Sequence, residues 1–454
     1  MRRGFLTLLG MLALGASASH VAAQAPLQVS PSSIVLDNPE ASQQALVSAG
    51  TTDRTHTATY EIVDPAIASV DAFGRVRARS DGRTTLVIRD GKSEARVAIE
   101  VAGVQAPPPV DFPTQMIALF SKNGCNTGGC HGKAEGKNGF KLSIFGFDPA
   151  GDHAAIVKES RGRRILASAP EQSLLLRKGA GQIAHGGGRR LPEDGLAYQR
   201  LRRWIAEGSR FETGAPAIVN IEVEPRERIL PFNGSQQLRV TAIDADGKRH
   251  CVTADAEYDS NAPGIARPDG RGLVQASGFP GQAAILVRYL GHVTVCRIVI
   301  PRTGIAFQRP PEANFIDRHA WDNLQRLGIP PADLADDATF LRRVFLDTIG
   351  TLPTSAEARA FLADKTPDKR AQLIDRLLER PEYADYWTML WSDLLRVDRD
   401  AITPAGAVAM TRWLRKQFAE NRPYDEIVRG LLTARGSVSD EGPAAIFKAL
   451  TTPE

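Results

Sequence analysis

The sequence predicts a multi-domain protein with two all-β sandwiches, one small α domain between them and one α-helical domain at the end. The 454 residues exceed what a single hydrophobic core organises, because domains usually hold about 100 to 200 residues. Apolar and polar residues alternate in short runs in two separate regions, whereas the last third has helical periodicity. The composition is 43% hydrophobic and 24% charged, which is typical of soluble globular proteins and excludes global disorder.

The first residues predict a signal peptide at 1–23. Arg2 and Arg3 precede an apolar run that ends near Ala18, and Val21 and Ala23 suit cleavage after Ala23. The run is shorter than the roughly 20 apolar residues of a membrane anchor, and no later stretch approaches that length. We therefore expect an exported protein, periplasmic or at the cell surface, without a transmembrane segment after removal of the signal.

Residues 25–103 and 216–302 each predict a β-sandwich, because short alternating runs are separated by turn residues. The second segment repeats the first: ATYEIVDPAIASVDAFGRVRARSDG aligns with AEYDSNAPGIARPDGRGLVQASG. Both copies resemble the bacterial immunoglobulin-like domains of group 2, which implies a spacer or adhesion module. Cys251 and Cys296 lie in the second copy, where either a cross-strand disulfide or two packed thiols fits the pattern.

Residues 108–212 predict a small α domain around the turn GCNTGGCHGK. FPTQMIALFSKNG indicates a helix with Pro113 in its first turn and Gly124 after its end. YQRLRRWIAEG indicates a closing helix that ends before Gly208 and has one apolar face, formed by Tyr198, Leu201, Trp204 and Ile205. Helices joined by glycine-rich loops around such a turn form the outline of a small cytochrome c.

The turn combines Cys125, Cys130 and His131. A c-type haem is held by two thioether bonds and is ligated by the histidine directly after the second cysteine, which Cys130-His131 provides. Four residues separate the cysteines instead of the usual two, and Gly128 and Gly129 allow the longer loop to bulge. One alternative is a Cys125–Cys130 disulfide that leaves His131 at the surface.

A six-coordinate haem needs a second axial ligand, usually Met or His. No methionine occurs between Cys130 and residue 212, and the candidates are His153 and His185. We favour His185, because it lies in a glycine-rich loop before the final helix. Zinc bound by the two cysteines with His131 and His185 is a second alternative, although structural zinc sites prefer tighter cysteine spacing.

The charge is concentrated in the middle of the chain. The formal net charge is +4, which is no electrostatic footprint for nucleic acid. Residues 105–212 nevertheless hold 16 Lys and Arg and 10 Asp and Glu. This excess indicates either a solvated basic face or a surface for an acidic partner or for haem propionates.

Residues 312–454 predict a helical domain. DDATFLRRVFLDTIG has an Asp N-cap, and Thr354 with Glu357 forms a capping box. Thr366 is expected to cap a further helix that stops at Pro381. The residues expected to pack in this domain are Phe340, Leu341, Val344, Phe345, Ile349, Leu373, Ile374, Leu377, Leu378, Trp387, Leu390, Trp391, Leu394 and Leu395.

Five stretches of the sequence resemble domains of a known kind of protein. FSKNGCNTGGCHGKAEGKNGFKLSIFGFDP, SLLLRKGAGQIAHGGGRRL and LRRWIAEG resemble the planctomycete-type cytochrome c-like domain of large exported bacterial proteins. NFIDRHAWDNLQRLGIPPADLADDATFLRRVFLDTIGTLPTSAEARAFLAD and RPEYADYWTMLWSDLLRV are similar to the domain of unknown function that commonly follows it. The resemblance implies a haem on Cys125, Cys130 and His131, with His185 near the place of the family's usual distal Met. Relatives usually continue into a further domain, so we expect a C-terminally truncated chain.

The sequence thus predicts an exported haem c-binding protein with an electron-transfer role and a redox protein or cell-surface component as partner. The rival prediction is a cofactor-free adhesion or structural scaffold with a disulfide in the 125–130 turn. A stand-alone enzyme is not expected. Asp347, Asp385 and His319 are acid or base groups, but carboxylates on helix surfaces are usually solvated, so they receive no role.

Overall fold

The computed structural model describes residues 26–211 and 216–449. Tertiary contacts divide the chain into two compact units, Met1–Pro331 and Ala332–Glu454. The predicted signal peptide at 1–23 lies outside the described residues. Within the described ranges no helix is long and apolar enough to cross a membrane.

The first sandwich consists of ten strands whose buried side chains alternate with exposed ones. The strands are β1 (Leu27–Ser30), β2 (Ser33–Leu36), β3 (Ser42–Gln44), β4 (Leu46–Ala49), β5 (Thr52–Asp53), β6 (Thr59–Ile62), β7 (Ala68–Val70), β8 (Arg75–Ala78), β9 (Gly82–Asp90) and β10 (Ser93–Val101). They form sheets with the orders β2-β10-β9-β6, β1-β4-β5 and β3-β8-β7. β10 pairs in parallel with β2 and antiparallel with β9. Ile34, Leu86, Ile88 and Ile99 fill the core between the sheets.

The middle segment, residues 104–211, is helical. Its helices are α1 (Ile117–Lys122), α2 (Pro149–Val157), α3 (Leu174–Gly179) and α4 (Leu196–Ala206), with a π-helical turn at Phe112–Met116 leading into α1. Asp111 caps that turn by accepting the Thr114 N–H at 2.8 Å. The predicted apolar face of α4 is buried against Phe112, which lies 5.3 Å from Trp204 between ring centroids.

The second sandwich repeats the first strand for strand, which confirms the predicted internal repeat. Its strands are β11 (Ile218–Glu224), β12 (Glu227–Ile229), β13 (Ser235–Gln237), β14 (Arg239–Asp244), β15 (Arg249–Cys251), β16 (Glu257–Ser260), β17 (Ala266–Pro268), β18 (Leu273–Ala276), β19 (Gly281–Tyr289) and β20 (His292–Ile300). The sheet orders β12-β20-β19-β16, β11-β14-β15 and β13-β18-β17 match those of the first copy. Tyr60 and Tyr258 donate equivalent hydrogen bonds to the carbonyls of Thr55 (2.7 Å) and Thr253 (2.9 Å).

Charged side chains join the middle segment to both sandwiches. Arg203 on α4 donates two hydrogen bonds, of 2.8 and 2.7 Å, to the carboxylate of Glu40 in the first sandwich. Arg200, one helical turn earlier, makes the corresponding pair with Asp255 of the second sandwich at 3.2 and 3.4 Å. Such two-pronged guanidinium–carboxylate pairs fix orientation as well as distance. The two sandwiches therefore hold α4 from two sides.

The remaining elements are α5 (Phe315–Leu327) in the first unit and, in the second, α6 (Asp337–Ile349), α7 (Ser355–Ala363), α8 (Lys369–Leu378), α9 (Pro381–Leu394), α10 (Arg399–Ile402), α11 (Pro404–Ala419), α12 (Tyr424–Leu432) and α13 (Ile446–Ala449). The Asp336 cap of α6 and the Thr354–Glu357 capping box of α7 are as predicted. Leu341, Phe345, Ile349, Leu373 and Leu377 are buried together in one core.

The structure corrects three predictions in the second unit. Thr366 does not cap α8: its N–H and hydroxyl bond the carboxylate of Asp364, and the helix begins three residues later, at Lys369. Pro381 does not only stop α8, because it is also the first residue of α9. The rows of apolar side chains expected to pack are only partly buried, because part of each row faces away from the core. The exposed members are Ile374, Leu378, Leu390 and Leu394.

Candidate cofactor cavity

The cysteine turn follows directly from the end of α1. The Cys125 N–H donates to the Phe120 carbonyl at 2.8 Å, and the His131 N–H donates back to the Cys125 carbonyl at 3.0 Å. The Cys130 N–H donates to the Thr127 carbonyl at 2.9 Å. These bonds close residues 125–131 into a compact turn that joins the two cysteines and the histidine to one end of the helix.

Cys125, Cys130, His131 and His185 all line one cavity of about 480 Å³. Its apolar wall consists of Phe120, Phe140, Leu142, Leu174, Leu175, Leu191 and Leu201. Pockets for small molecules and cofactors usually measure about 300 to 1,000 Å³ and have mainly apolar walls with a few placed polar groups. The cavity therefore has the size and the lining of a cofactor pocket.

The rings of His131 and His185 lie near each other in the lining of the cavity. The ring centroids of His131 and His185 are 6.3 Å apart, and the ring planes differ by 7°. Nδ1 of His131 lies 3.0 Å from the Phe140 carbonyl oxygen, and Nδ1 of His185 lies 2.8 Å from that of Gly188. Because a carbonyl oxygen only accepts, each Nδ1 carries a proton, and Nε2 is the ring nitrogen left to bind a ligand or metal.

The protonation of these groups follows from their surroundings. Burial lowers the pKa of His131, and the nearby charges of His185, Lys137 and Arg164 lower it further, so the neutral imidazole is favoured. Burial raises the pKa of the Cys125 thiol to about 12, so the sulfur is protonated at neutral pH. The site thus presents a neutral imidazole at His131 and an uncharged thiol at Cys125.

The loop that presents His185 is tied to the end of α3. The N–H groups of Arg190 and Leu191 donate to the Gly179 carbonyl at 2.8 and 2.9 Å. Nζ of Lys178 donates to the Ala184 carbonyl at 2.8 Å. These bonds fix both ends of the loop, so His185 is held at the cavity although three glycines follow it.

Arg164 and Phe140 were not predicted from sequence, yet they shape the wall beside His131. The guanidinium of Arg164 is 4% exposed and donates to the carbonyls of Ala155 (2.8 Å) and Gly139 (2.6 Å). Its carbon lies 4.6 Å from the centre of the Phe140 ring, which is 4.5 Å from the His131 ring. Backbone contacts between distant residues create this stack, and no local motif signals it.

The cavity is electropositive. The described residues that line it include no Asp or Glu, whereas five basic side chains do: Lys137, Arg163, Arg164, Lys178 and Arg190. The guanidinium N–H groups of Arg164 donate to backbone carbonyls. The other four leave positive charge at the cavity for an anionic group. The predicted basic excess of the middle segment is therefore partly gathered at one site.

Other predicted candidates lie elsewhere. His153 lies outside the cavity: its Nε2 is 2.7 Å from the Ser209 carbonyl, and its ring packs 5.1 Å from Phe112 in the core. Asp385 pairs with Arg415 at 2.5 Å on the surface of the second unit, and Asp347 and His319 are exposed.

All four cysteines of the chain lie among the described residues, and each is a free thiol. Cys251 and Cys296 are on different sheets, and Cys296 is fully buried in the core of the second sandwich, so the cross-strand disulfide considered above is not formed. Within residues 26–211 and 216–449, no three His, Cys, Asp or Glu side chains converge as a metal-binding group. The zinc arrangement considered above is therefore not assembled in this geometry.

Comparisons with known proteins identify the C-terminal region. The family model PSCyt2, described as a protein of unknown function (DUF1549), matches residues 315–452. This match confirms the resemblance of the helical region to a domain of unknown function. The comparison with curated proteins gives no match.

The solved structures that match this chain are only weakly similar to it. Domains 5–6 of the S-layer protein SbsC are 12% identical, with 62% of this chain and 99% of that chain covered and a TM-score of 0.25. Domains 4–9 of SbsC are 13% identical, with 63% and 32% covered and a TM-score of 0.25. Extracellular domains 3–5 of Drosophila OTK are 8% identical, with 61% and 62% covered and a TM-score of 0.14. At these TM-scores the likeness assigns neither fold nor function.

Proposed function

We propose that the protein is an exported electron-transfer protein that binds one haem c in the cavity between His131 and His185. The observation that carries the proposal is the pair of parallel imidazoles facing one cavity, with two free thiols in the same wall. Their convergence supports a cofactor.

The spacing of the imidazoles would allow His131 and His185 to hold one metal together. A ring nitrogen lies about 2 Å from a metal that it binds and about 1 Å from its own ring centroid, so the centroids of two such imidazoles would be at most about 6 Å apart. The observed separation is 6.3 Å. Two histidines would be enough protein ligands for a haem iron, whereas a zinc site needs more.

The remaining lining suits the rest of the group. Cys125 and Cys130 supply the two sulfurs that thioether attachment requires, and they lie in the wall that also bears His131. Phe120, Phe140 and Leu142 offer apolar contact to a macrocycle. Arg163, Arg190, Lys137 and Lys178 offer cationic partners for its two carboxylates.

The bound haem would supply reversible one-electron transfer. The protein's contribution is to fix the tautomers of the two imidazoles and to keep their surroundings apolar. The carbonyls of Phe140 and Gly188 fix both imidazoles as Nδ1–H tautomers and make Nε2 more basic. An imidazole at residue 185, in place of a methionine, favours a lower reduction potential. The apolar wall limits access of water.

The outer domains suit a protein outside the cytoplasm. The predicted signal peptide and the resemblance of both sandwiches to bacterial immunoglobulin-like modules support a periplasmic or cell-surface location. In this proposal the sandwiches hold the cofactor domain through Arg200 and Arg203. The rival function, a scaffold without cofactor, is favoured by the repeat alone.

Expression in a host that attaches haem c tests the proposal. We expect a c-type pyridine haemochrome band and an intact mass raised by one haem. Cys130→Ser should reduce attachment, whereas Cys251→Ser should not, because Cys251 lies in the second sandwich. A wild-type mass equal to the unmodified polypeptide, or lower by two hydrogens from a Cys125–Cys130 disulfide, would contradict the proposal and support the scaffold.

A further inference from the structure

An apolar patch lies on the surface of the middle segment. Ile144, Phe145 and Phe147 are 42%, 46% and 77% exposed and follow one another along four residues of chain. Single exposed apolar side chains are common, whereas clustered large ones often mark a contact surface. We call these three side chains the Phe147 patch.

The conformation of the patch is imposed by its surroundings. Phe145 has a φ of 53°, a left-handed value that is rare for a bulky residue and costs about 1 to 3 kcal/mol. Its N–H donates to the carbonyl of the fully buried Asn126 at 3.3 Å. On the preceding side, the Ser143 hydroxyl donates to the buried Asp152 carboxylate at 2.7 Å. Buried polar groups thus hold an aromatic side chain toward water.

The patch is built on the cysteine turn. Asn126, which accepts the Phe145 N–H, lies between the two cysteines, and Cδ1 of Ile144 is 3.9 Å from the place of a side chain at Gly128. A molecule seated on the patch therefore contacts the protein beside the sulfurs that line the cavity. Electron transfer between proteins requires such close approach to the cofactor edge.

Lysines accompany the patch. Lys133, Lys137 and Lys141 are exposed in the same stretch of chain, and Lys137 also lines the cavity. Two carboxylates belong to the same stretch: Glu135, which pairs with Lys133 at 3.3 Å, and the exposed Asp148, which directly follows Phe147. Three lysines against two carboxylates leave a positive excess, carried by Lys137 and Lys141, which favours an acidic protein as the partner.

We propose that the Phe147 patch with Lys133, Lys137 and Lys141 is the docking surface for an acidic electron-transfer protein. This inference rests on the proposed haem. Redox encounters use small interfaces, below about 1,200 Å² in total, so three apolar side chains with a charged rim are sufficient. An anionic membrane surface also attracts lysines and aromatics, but the attachment of the patch to the cysteine turn favours a redox partner.

The test uses the haem-loaded full chain and flavodoxin hydroquinone, an acidic one-electron donor, as probe. We expect Phe147→Ser to lower the second-order rate of haem reduction by about tenfold. Lys133→Gln with Lys141→Gln should lower the rate at low ionic strength and flatten its salt dependence. Reduction by dithionite should be unchanged in all variants. Phe279→Ser is the matched control, because Phe279 is 69% exposed on the second sandwich.

Three outcomes would overturn the inference. Equal flavodoxin rates in wild type and Phe147→Ser, with the haem band present, remove the docking surface and leave the proposed function intact. Unchanged rates with lost binding to phosphatidylglycerol vesicles assign the patch to a membrane, and lost self-association in sedimentation assigns it to a second copy. A wild-type protein without the haem band contradicts the proposed function, and the docking surface with it.

Discussion

Gly132, directly after His131, is the residue on which the cysteine turn depends most. A side chain added there would start 2.7 Å from the carbonyl carbon of Asn126 and 2.9 Å from that of Thr127, with the Asn126 oxygen closer still. All of these atoms are backbone, so no rotamer change relieves the clash. We predict that Gly132→Ala forces the turn open.

The cost can be worked from the contacts. Non-bonded carbon atoms prefer about 3.5 to 4.0 Å, so the backbone must withdraw by about 1 Å. That shift breaks the 3.0 Å bonds from Gly132 N–H to the Thr127 carbonyl and from His131 N–H to the Cys125 carbonyl. Each contributes about 1 kcal/mol, and overpacking adds about 1 to 3 kcal/mol. The expected loss is about 3 to 5 kcal/mol, concentrated at the turn.

Gly129→Ala is the matched control, because it lies in the same turn and has no atom within 4 Å of the added carbon. Hydrogen exchange of peptides covering residues 120–132 should rise strongly in Gly132→Ala and little in Gly129→Ala, and haem attachment should fall only in the former. Equal protection and equal attachment in the two variants would contradict the prediction, since the contact at Gly132 would then have no consequence.

Other perturbations test the ligands, the frame and the charge network. His185→Ala should convert a low-spin ferric spectrum of the haem protein to a high-spin one, whereas His153→Ala should leave the spectrum unchanged, because that ring lies in the core. Glu40→Gln should lower the free energy of local opening in α4 by about 2 to 4 kcal/mol, because Glu40 is only 8% exposed. Hydrogen exchange in α4 should rise accordingly. Glu100→Gln, at an exposed pair, should change stability by less than about 0.5 kcal/mol. Hydrogen bonds from Arg380 lower the pKa of Glu382 from 4.5 to about 2. The stability that this pair contributes is therefore complete above pH 4.5 and is lost as the pH falls toward 2. The melting temperature of the helical signal should fall over that window, and less in Glu382→Gln.

Much of the fold could be predicted because it depends on local rules. The alternation of buried and exposed residues and the turn glycines carry the two sandwiches, and their repetition strengthens each prediction. The caps at Asp336 and Thr354 are contacts within one helical turn. The prediction that Thr366 caps α8 is wrong because Thr366 bonds a competing partner, Asp364, two residues earlier. The exposure of Leu394 depends on which helices pack against α9, which periodicity does not specify.

The candidate site could be predicted only for residues that belong to a recognisable sequence motif. The cysteines and His131 are adjacent in sequence, and His185 follows from the need for a second ligand. Arg164 and Phe140 depend on contacts across 24 residues of chain, so no spacing rule finds them. Gly128 and Gly129 were expected to give the turn its freedom. The close approach to backbone instead occurs at Gly132, and no local sequence motif signals it.

The two readings of the chain, scaffold and electron carrier, are not exclusive, because one helix serves both. Leu201 of α4 lines the cavity, and its neighbours Arg200 and Arg203 bond the carboxylates of the second and first sandwich. A shift of either sandwich is therefore transmitted to the cavity wall through a rigid helical turn. In this arrangement the two sandwiches hold α4, and α4 forms one side of the cavity that the cysteine turn also lines.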